Sequence, residues 1–340
     1  MTKRVLTGIK PTGVPHLGNY VGAIRPALRR ATDPEHSYFF IADYHALNQV
    51  QDPDEFNEFS YVVAATWLAC GLDPDASSFY RQSDIRETFE LTTILSAFTP
   101  KGWMNKAHAY KAAVDANRGA NEPEDAGVNM GLYTYPMLMA ADILVFRSEI
   151  VPVGKDQVQH VEIARDIALR FNHTVGRDVL TLPDFEMPSD AEAIPGLDGR
   201  KMSKSYNNII PLFATPKQWK QGIASIKTDS SGRNDPKVAE GAAVYEIYAA
   251  LAPAEDARTM KAALEAGEIG WGDAKALLLA LVEVEFSART ETYNDLIAHP
   301  ERIDDILEAG ATRVRPLAEA LLEEVRRAIG RGGSVRRARA

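Results

Sequence analysis

The segment Gly8-Ile9-Lys10-Pro11-Thr12-Gly13-Val14-Pro15-His16-Leu17-Gly18-Asn19-Tyr20 decides the fold, because it joins a predicted strand to a predicted helix. The strand is the apolar run Val5-Leu6-Thr7-Gly8, and the helix extends from Leu17 to Arg30. A glycine-rich turn lets the backbone approach a bound nucleotide, and the amino end of a helix presents free N–H groups to phosphate. Taken alone, the segment is better explained as an ordinary strand-to-helix turn with a surface histidine.

Short apolar runs alternate with helical patterns over the first half of the chain. Further strands are predicted at 37–42, 78–81 and 150–153, and further helices at 53–69, 87–98, 135–146 and 157–171. This alternation is typical of an α/β fold in which helices cover a parallel sheet. Residues 115–125 lack apolar periodicity and predict a loop, and residues 183–199 predict an irregular connection.

The second half has a different character. From about Pro216 it consists of Ala-, Glu- and Leu-rich helical patterns with no strand signal. We therefore predict a Rossmann-like nucleotide-binding domain over residues 1–210, with an inserted helical segment around 100–140, and an all-helical domain over 211–330. Residues 331–340 carry several arginines and predict a basic, disordered tail.

Composition excludes several classes of protein. The 340 residues are 45% hydrophobic and 25% charged, as in an ordinary soluble enzyme, and no apolar run approaches the roughly 20 residues that span a bilayer. The opening residues lack the apolar stretch of a signal peptide, so we expect a cytoplasmic protein. A single cysteine, Cys70, excludes an intramolecular disulfide and any multi-cysteine zinc or iron–sulfur site. The net charge of −9 argues against wholesale electrostatic binding of nucleic acid.

A second informative segment lies far downstream, at Gly199-Arg200-Lys201-Met202-Ser203-Lys204-Ser205. Lys201 and Lys204 carry compact positive charges, which can stabilise the negative charge that develops on the phosphates in a transition state. A flexible loop could bring both lysines over ATP after it binds. The plainer explanation is a basic loop that faces solvent.

The two segments together resemble a known family. His16-Leu17-Gly18-Asn19 resembles the HIGH motif of class I aminoacyl-tRNA synthetases, and residues 201–205 are letter for letter their KMSKS motif. Both occur in the expected order, one after the first strand and one after the α/β half. The resemblance implies ATP-dependent activation of an amino acid, with His16, Lys201 and Lys204 as the catalytic residues that stabilise charge on the phosphates.

The segment Tyr133-Thr134-Tyr135-Pro136-Met137-Leu138-Met139-Ala140-Ala141-Asp142 bears on the choice of amino acid. Tyr135, Met139 and Asp142 are four and three residues apart, so they share one face of a helix. This face places an acceptor at the end of an apolar pocket, and tryptophan carries a ring N–H that only donates. A buried carboxylate without a partner is costly, although a helix N-terminus or an arginine could also satisfy it.

This segment and Val151-Pro152-Val153-Gly154-Lys155-Asp156-Gln157 resemble bacterial tryptophanyl-tRNA synthetases. That resemblance implies that Asp142 accepts a hydrogen bond from the indole, that Met139 lines the pocket, and that Tyr135 and Gln157 hold the amino group. It places these residues around ATP: Lys10, Pro11, Thr12, Gly18, Asn19, Gly154, Lys155, Asp156, Ile194, Lys201, Met202, Ser203, Lys204 and Ser205.

The resemblance also implies substrates and partners: L-tryptophan, ATP with Mg²⁺, tRNA(Trp) bound by the helical half, and a second copy of the chain in a homodimer. No structural metal is expected. A further lysine of the family reaches the phosphates, and either Lys111 or Lys106 matches it. The chain departs from the commoner pattern at Lys10, His16 and Lys155, where many relatives carry glutamine, threonine and glutamate.

Three alternatives stay open. A tyrosyl-tRNA synthetase shares the fold and both motifs, but its relatives usually carry glutamine where this chain has Met139. A paralogue that binds adenylate or tRNA without charging is expected to have lost motif residues, and none is lost here. A small-molecule adenylyltransferase has a similar histidine turn, but the helical half together with an intact KMSKS motif is not expected in that class.

Overall fold

The structure is a computed structural model, and it describes residues 3–31, 33–187 and 194–331. Within these ranges one parallel sheet of five strands lies in the order β3-β2-β1-β4-β5. The strands are β1 (Val5–Ile9), β2 (Ser37–Ile41), β3 (Ser78–Arg81), β4 (Ile150–Pro152) and β5 (Asp184–Glu186). The predicted α/β fold with a parallel sheet is therefore confirmed. Most of the predicted basic tail, residues 332–340, lies outside the described residues.

Helices flank the sheet and make up most of the described second half. In the first half they are α1 (Leu17–Asn19), α2 (Arg25–Leu28), α3 (Asp43–Ala46), α4 (Pro53–Ala69), α5 (Glu87–Ser96), α6 (Lys101–Met104), α7 (His108–Gly119), α8 (Met130–Val145) and α9 (Val158–Val175). The second half contains α10 (Pro216–Ala224), α11 (Ala243–Leu251), α12 (Ala254–Glu265), α13 (Trp271–Ala298) and α14 (Pro300–Ala328). No helix in the described ranges combines the length and the apolar character that crossing a bilayer requires.

Strand β2 shows why the sheet forms where it does. All five of its residues are buried, so the strand reads as a continuous apolar run, which is typical of a parallel sheet covered on both faces. Phe39 faces one layer and packs against Trp67 of α4, with ring centroids 5.4 Å apart. Tyr38 faces the other layer and packs against Phe146, with ring centroids 5.6 Å apart. Two apolar cores therefore lie on opposite sides of one sheet.

The strand order determines where a ligand can bind. Strand β1 pairs with β2 on one side and with β4 on the other, so the direction of the winding reverses between β1 and β4. In open α/β sheets, ligands bind outside the carboxyl ends of the strands at this switch point. The residues that follow β1 are 10–16 and those that follow β4 are 153–157. The topology thus brings both segments predicted to contact ATP to one crevice.

The structure corrects three local predictions. Helix α8, which was predicted to begin at residue 135, begins at Met130. Helix α7 extends to Gly119, so only the later part of the predicted loop at 115–125 is non-helical. The side chain of Asn117 bonds to the carbonyl oxygens of Glu124 and Ala126, both at 2.9 Å, which ties that part back to the helix. Strand β5 was not predicted, because a three-residue edge strand has too few positions to show an alternating pattern.

The last helix returns to the sheet. Helix α14 runs along β3 so closely that a Cβ atom added to Gly310 would lie 1.8 Å from the carbonyl oxygen of Phe79. Only glycine permits this approach, since the neighbouring atoms belong to backbone. The helical second half is therefore packed directly on the edge of the α/β layer.

We predict that Gly310→Ala lowers the free energy of unfolding by about 1–3 kcal/mol, because the added methyl group must push α14 away from β3. Urea denaturation measures the change. Gly222→Ala is the matched control: it lies inside α10 with open space where the added Cβ atom would stand, so it should stabilise the protein by about 0.5–1 kcal/mol. Equal effects of the two substitutions would contradict this account of the packing.

Candidate active site

The turn after β1 lies against the segment that contains the KMSKS loop (residues 201–205). His16 and Pro211 form an antiparallel bridge, and the backbone N–H of Leu17 donates to the carbonyl oxygen of Ile210 at 3.0 Å. Within the loop itself, the N–H of Met202 donates to the carbonyl oxygen of Ile194, also at 3.0 Å. The two motifs, distant in sequence, therefore form one wall of the crevice.

Met202 of the KMSKS loop contacts the start of the first helix directly. Its sulfur lies 3.3 Å from the backbone nitrogen of Gly18, and the residue is buried. A Cβ atom on Gly18 would stand 3.1 Å from the His16 ring and 3.4 Å from the Met202 side chain. The distance to Met202 is an ordinary van der Waals contact, so the missing side chain of Gly18 mainly leaves room for the His16 ring.

His16 is buried at the amino end of α1, with 7% of its surface exposed. Its backbone N–H donates to the side chain of Asn19 at 3.0 Å, so Asn19 holds the start of the helix. Burial, and to a smaller extent the nearby charge of Lys204, lower the pKa of His16 to about 4. Its Nδ1 finds no hydrogen-bond partner within the described ranges. At neutral pH the ring is therefore neutral, with capacity left for a ligand.

The helix that follows His16 is anchored to the C-terminal half. Residues Tyr20–Ile24 form a wider, π-helical turn, a feature often found at functional sites. The hydroxyl of Tyr20 donates to Glu285 at 2.8 Å and accepts from Arg289 at 2.6 Å, and both partners lie on α13. This cluster fixes the position of the helix relative to α13.

The two predicted catalytic lysines are placed differently. Lys204 reaches back to the turn after β1, where its Nζ atom lies 3.4 Å from the carbonyl oxygen of Thr12. A Cβ atom on Gly13 would come within 3.0 Å of that ammonium, and Gly13 has a φ of +109°. The backbone of Lys201 pairs with Pro195, and its side chain is exposed. The structure therefore brings Lys204, but not the ammonium of Lys201, onto the turn.

The remaining loop residues have local roles in the structure. The hydroxyl of Ser203 accepts from the N–H of Ser205 at 3.3 Å and begins a short helical turn, Lys204–Tyr206. In the turn after β1, the N–H of Thr12 donates to the oxygen of Lys10 at 3.0 Å, which closes the segment around Pro11.

Asn208 holds the base of the KMSKS loop, and no sequence pattern singled it out. The residue is 2% exposed, and its side chain accepts from the N–H of Ser203 at 2.8 Å. The same side chain donates to Asp198 at 2.6 Å and to the carbonyl oxygen of Lys201 at 3.1 Å. The bond from Asn208 is the main reason that the pKa of Asp198 falls to about 2. One buried amide thus connects the first and middle residues of the loop, Lys201 and Ser203, with Asp198.

The predicted acceptor Asp142 lies on α8 and is 4% exposed. Among the described residues, its partners are a histidine and a glutamine, and neither a helix N-terminus nor an arginine bonds to it. Its Oδ2 atom is 2.9 Å from His45 Nε2, and the amide of Gln82 donates to Oδ1 at 2.8 Å and to Oδ2 at 2.9 Å. Burial raises the pKa of Asp142, and the bonds from His45 and Gln82 oppose that rise. Both partners come from segments that carry no motif, so the sequence did not identify them.

Tyr135 and Met139 lie on the same helix as Asp142, as predicted. The hydroxyl of Tyr135 is hydrogen-bonded to Nε2 of His160, and the ring of His45 stands edge-on to Tyr135 at 6.2 Å. Met139 is partly buried against the core below the sheet. Burial lowers the pKa of His160 to about 4, so this ring is also neutral at pH 7. The site therefore combines the thioether of Met139 and the carboxylate of Asp142 with three rings, those of Tyr135, His45 and His160.

The segment after β4 begins with a short helical turn, Lys155–Gln157. The amide of Gln157 donates to the carboxylate of Asp156 at 2.8 Å, and a Cβ atom on Gly154 would lie 2.9 Å from the same carboxylate. These residues stand at the carboxyl end of β4, beside the turn after β1. In the ranges that the structure describes, no group of three or more His, Cys, Asp and Glu residues is arranged to hold a metal ion.

Lys106 and Lys111 line the same surface cavity, together with Tyr110 and Val114. The carbonyl oxygen of Lys106 accepts from the side chain of Gln159 at 3.1 Å, which ties this corner to the start of α9. Both ammonium groups therefore remain candidates for the additional phosphate-binding lysine.

The chain matches the family model described as tRNA synthetases class I (W and Y) over residues 2–287. It is 51% identical over 331 residues to the tryptophan–tRNA ligase of Neisseria meningitidis serogroup A, covering 96% of this chain and 98% of that protein. It is also 51% identical over 334 residues to the tryptophan–tRNA ligase of Pseudomonas aeruginosa, covering 97% of this chain and 74% of that one.

Solved structures agree with these relatives. The tryptophanyl-tRNA synthetase of Campylobacter jejuni, crystallised with ADP and tryptophan, superposes with a TM-score of 0.86 at 40% identity, covering 96% of this chain and 99% of that chain. The tyrosyl-tRNA synthetase of Aeropyrum pernix, at 18% identity and a TM-score of 0.63 over 91% of this chain and 90% of that one, shares the fold alone.

This chain therefore belongs to the class I aminoacyl-tRNA synthetases, in the family of the tryptophan and tyrosine enzymes. Within that family, the predicted resemblance to bacterial tryptophanyl-tRNA synthetases is confirmed, at about half identity over nearly the whole chain.

We predict that Asn208→Ala lowers kcat/KM for ATP roughly 10- to 100-fold, because backbone groups of the KMSKS loop lose their buried partner. KM for tryptophan should change less than about two-fold, since Asn208 does not reach α8. Initial rates at varied ATP and varied tryptophan measure both constants. Asn294→Ala, at an exposed position on α13, is the matched control. A fall in kcat alone, with both KM values unchanged, would show a loss of folded enzyme instead, and an equal rise in both KM values would contradict a role confined to the KMSKS loop.

The buried histidines also predict how stability depends on pH. A pKa of about 4 in the folded state, below the ordinary value of 6.5, means that the unfolded chain binds protons first as pH falls. The contribution of each buried, neutral histidine to the free energy of unfolding is complete above about pH 6.5. Between about pH 6.5 and 4 it declines by about 1.4 kcal/mol per pH unit for each histidine.

Urea denaturation of His16→Asn across this pH range should therefore show a shallower decline than the unsubstituted protein. His173→Asn, at an exposed position of α9, is the matched control and should leave the slope unchanged. Parallel curves for all three proteins would mean that His16 is not buried as a neutral ring.

Proposed function

We propose that this chain is a tryptophan–tRNA ligase, which converts L-tryptophan and ATP into tryptophanyl-adenylate and pyrophosphate and then transfers tryptophan to the 3′ end of tRNA(Trp). The single observation that carries the proposal is the buried carboxylate of Asp142, on the helix face that also bears Tyr135 and Met139. The curated relatives named above carry the same activity in their names.

The proposed amino-acid pocket is the face of α8 that leads to Asp142. Indole has one polar ring group, and its N–H can only donate, so an ionised carboxylate is its natural partner. Met139 would contact the apolar rings, and Tyr135 with Gln157 would hold the amino group. Phenylalanine has no ring N–H to donate to Asp142, so binding it would leave that acceptor position unpaired. The free-energy cost of an unpaired buried acceptor discriminates between ligands far more strongly than an apolar pocket discriminates against a ligand that lacks one methylene.

ATP would lie in the crevice at the switch point between β1 and β4. Its phosphates would meet the start of α1, where His16 lies, and the ammonium of Lys204 that already rests on the turn. Closure of the KMSKS loop would bring in Lys201, whose side chain is exposed before ATP binds. Magnesium enters this account only as part of the substrate, MgATP.

The chemistry needs no side-chain nucleophile and no general base. The carboxylate of tryptophan is ionised at neutral pH and attacks the α-phosphorus, and pyrophosphate leaves with the electrons of the broken P–O bond. Catalysis then consists of holding both substrates in line and stabilising charge on the phosphates by His16, Lys201 and Lys204. A neutral His16 suits this role as a hydrogen-bond donor.

Residues 1–210 would form the catalytic domain and residues 211–330 the domain that recognises the anticodon. We expect a homodimer in the cytoplasm, acting in translation. The packing of α13 and α14 on the first half supports a direct mechanical connection between tRNA recognition and the cleft.

Amino-acid-dependent exchange of labelled pyrophosphate into ATP, with each of the twenty amino acids offered separately, tests this proposal. We expect exchange with tryptophan alone. Asp142→Ala should lower kcat/KM for tryptophan roughly 10- to 100-fold, because the indole N–H loses its acceptor. Exchange with tyrosine would place the chain with the tyrosyl enzymes. No exchange with any amino acid would favour the paralogue that does not charge tRNA.

A further inference from the structure

Gln82 uses both ends of its side chain inside the protein. It lies in the short helical turn Gln82–Asp84 that follows β3, and only 1% of its surface is exposed. Its Oε1 atom accepts from the backbone N–H of Tyr44 at 3.2 Å. Its Nε2 atom donates to both oxygens of Asp142, at 2.8 and 2.9 Å. The amide therefore connects α3, the end of β3 and α8.

The bonds to Asp142 leave its two oxygens unequal. An ionised carboxylate offers about four lone-pair positions, two on each oxygen. Oδ2 accepts from both His45 and Gln82, whereas Oδ1 accepts from Gln82 alone among the residues described. Oδ1 is therefore the oxygen with a free position for a ligand.

His45 alone cannot fix this arrangement. It bonds to one oxygen only, so the carboxylate could still rotate about its Cβ–Cγ bond. The amide of Gln82 contacts both oxygens and thereby fixes the plane of the carboxylate. Gln82 shares the N–H of Tyr44 with Asp43, which accepts from it at 3.0 Å and from the N–H of Ser83 at 3.1 Å. Asp43 thus ties α3 to the residue that follows Gln82.

We propose that Gln82 is a positioning residue that turns Oδ1 of Asp142 toward the indole N–H and so determines the preference for tryptophan over an analogue of the same shape without that N–H. The inference rests on the proposed function, since it assumes that Asp142 receives the indole. Gln82 itself does not touch the substrate in this account. Its effect should therefore appear in discrimination between ligands.

The test compares tryptophan with β-(benzothiophen-3-yl)alanine, in which sulfur replaces the indole N–H. The quantity measured is the ratio of kcat/KM for tryptophan to kcat/KM for the analogue in pyrophosphate exchange. Both values come from one preparation, so the fraction of folded enzyme cancels. Gln82→Met keeps the length of the side chain and removes the donor, and we expect it to lower the ratio roughly 10- to 100-fold. Gln221→Met makes the same change at an exposed position of α10 and should leave the ratio unchanged.

Gln82→Glu provides a second, independent test. The new carboxylate would face that of Asp142, and two such groups in contact share one proton at low pH and repel once both are ionised. At about pH 8 the pair repels and the ratio should be low. Toward about pH 6 a protonated glutamate can donate in place of the amide, so the ratio should recover. Three other titratable groups face this site: His45, Tyr80 and Asp43. The unsubstituted enzyme contains all three, so its ratio over the same pH range is the reference.

The outcomes separate this inference from the proposed function. If Asp142→Ala abolishes the preference but both Gln82 variants keep it at every pH, the positioning role is overturned and the indole contact stands. If Asp142→Ala also keeps the preference, the indole contact itself fails, and the role of Gln82 fails with it. A ratio lowered in Gln82→Met and restored by acid in Gln82→Glu supports the proposal.

Discussion

The crevice depends on one contact, in which the KMSKS loop seats against the start of the first helix. Gly18 and Met202 are separated by 184 residues, yet the backbone nitrogen of one lies 3.3 Å from the sulfur of the other. The bond from the N–H of Leu17 to the carbonyl oxygen of Ile210 extends this contact along the backbone. Because His16 and Lys204 belong to the two sides of this contact, their distance from a phosphate is set by it.

The second requirement is a charged acceptor inside an apolar core. Asp142 is buried on α8, and a buried carboxylate is tolerated only where donors surround it. His45 and Gln82 supply those donors from two other segments, so that the charge is stabilised before a substrate arrives. The same burial makes a missing N–H costly. Stability of the acceptor and selection of the ligand therefore have the same physical origin.

How much the sequence could predict follows from the range of each interaction. The first four strands and the common face of Tyr135, Met139 and Asp142 depend on local periodicity, so they could be predicted. The strand order, which sets the switch point, was seen only in the structure. The bonds of Gln82 and Asn208 depend on which segments meet in three dimensions, and no local pattern marks them. The roles of the site residues, including Lys10 and Lys155 where the chain departs from its relatives, stay predictions.

A crystal structure of this chain with a non-hydrolysable analogue of tryptophanyl-adenylate tests the central claim most directly. The account predicts an indole nitrogen at about 2.9 Å from Oδ1 of Asp142, with the amide of Gln82 still on both carboxylate oxygens and the analogue's phosphoryl group beside the start of α1. An indole that points away from Asp142, or an adenylate bound outside the crevice between β1 and β4, would contradict it.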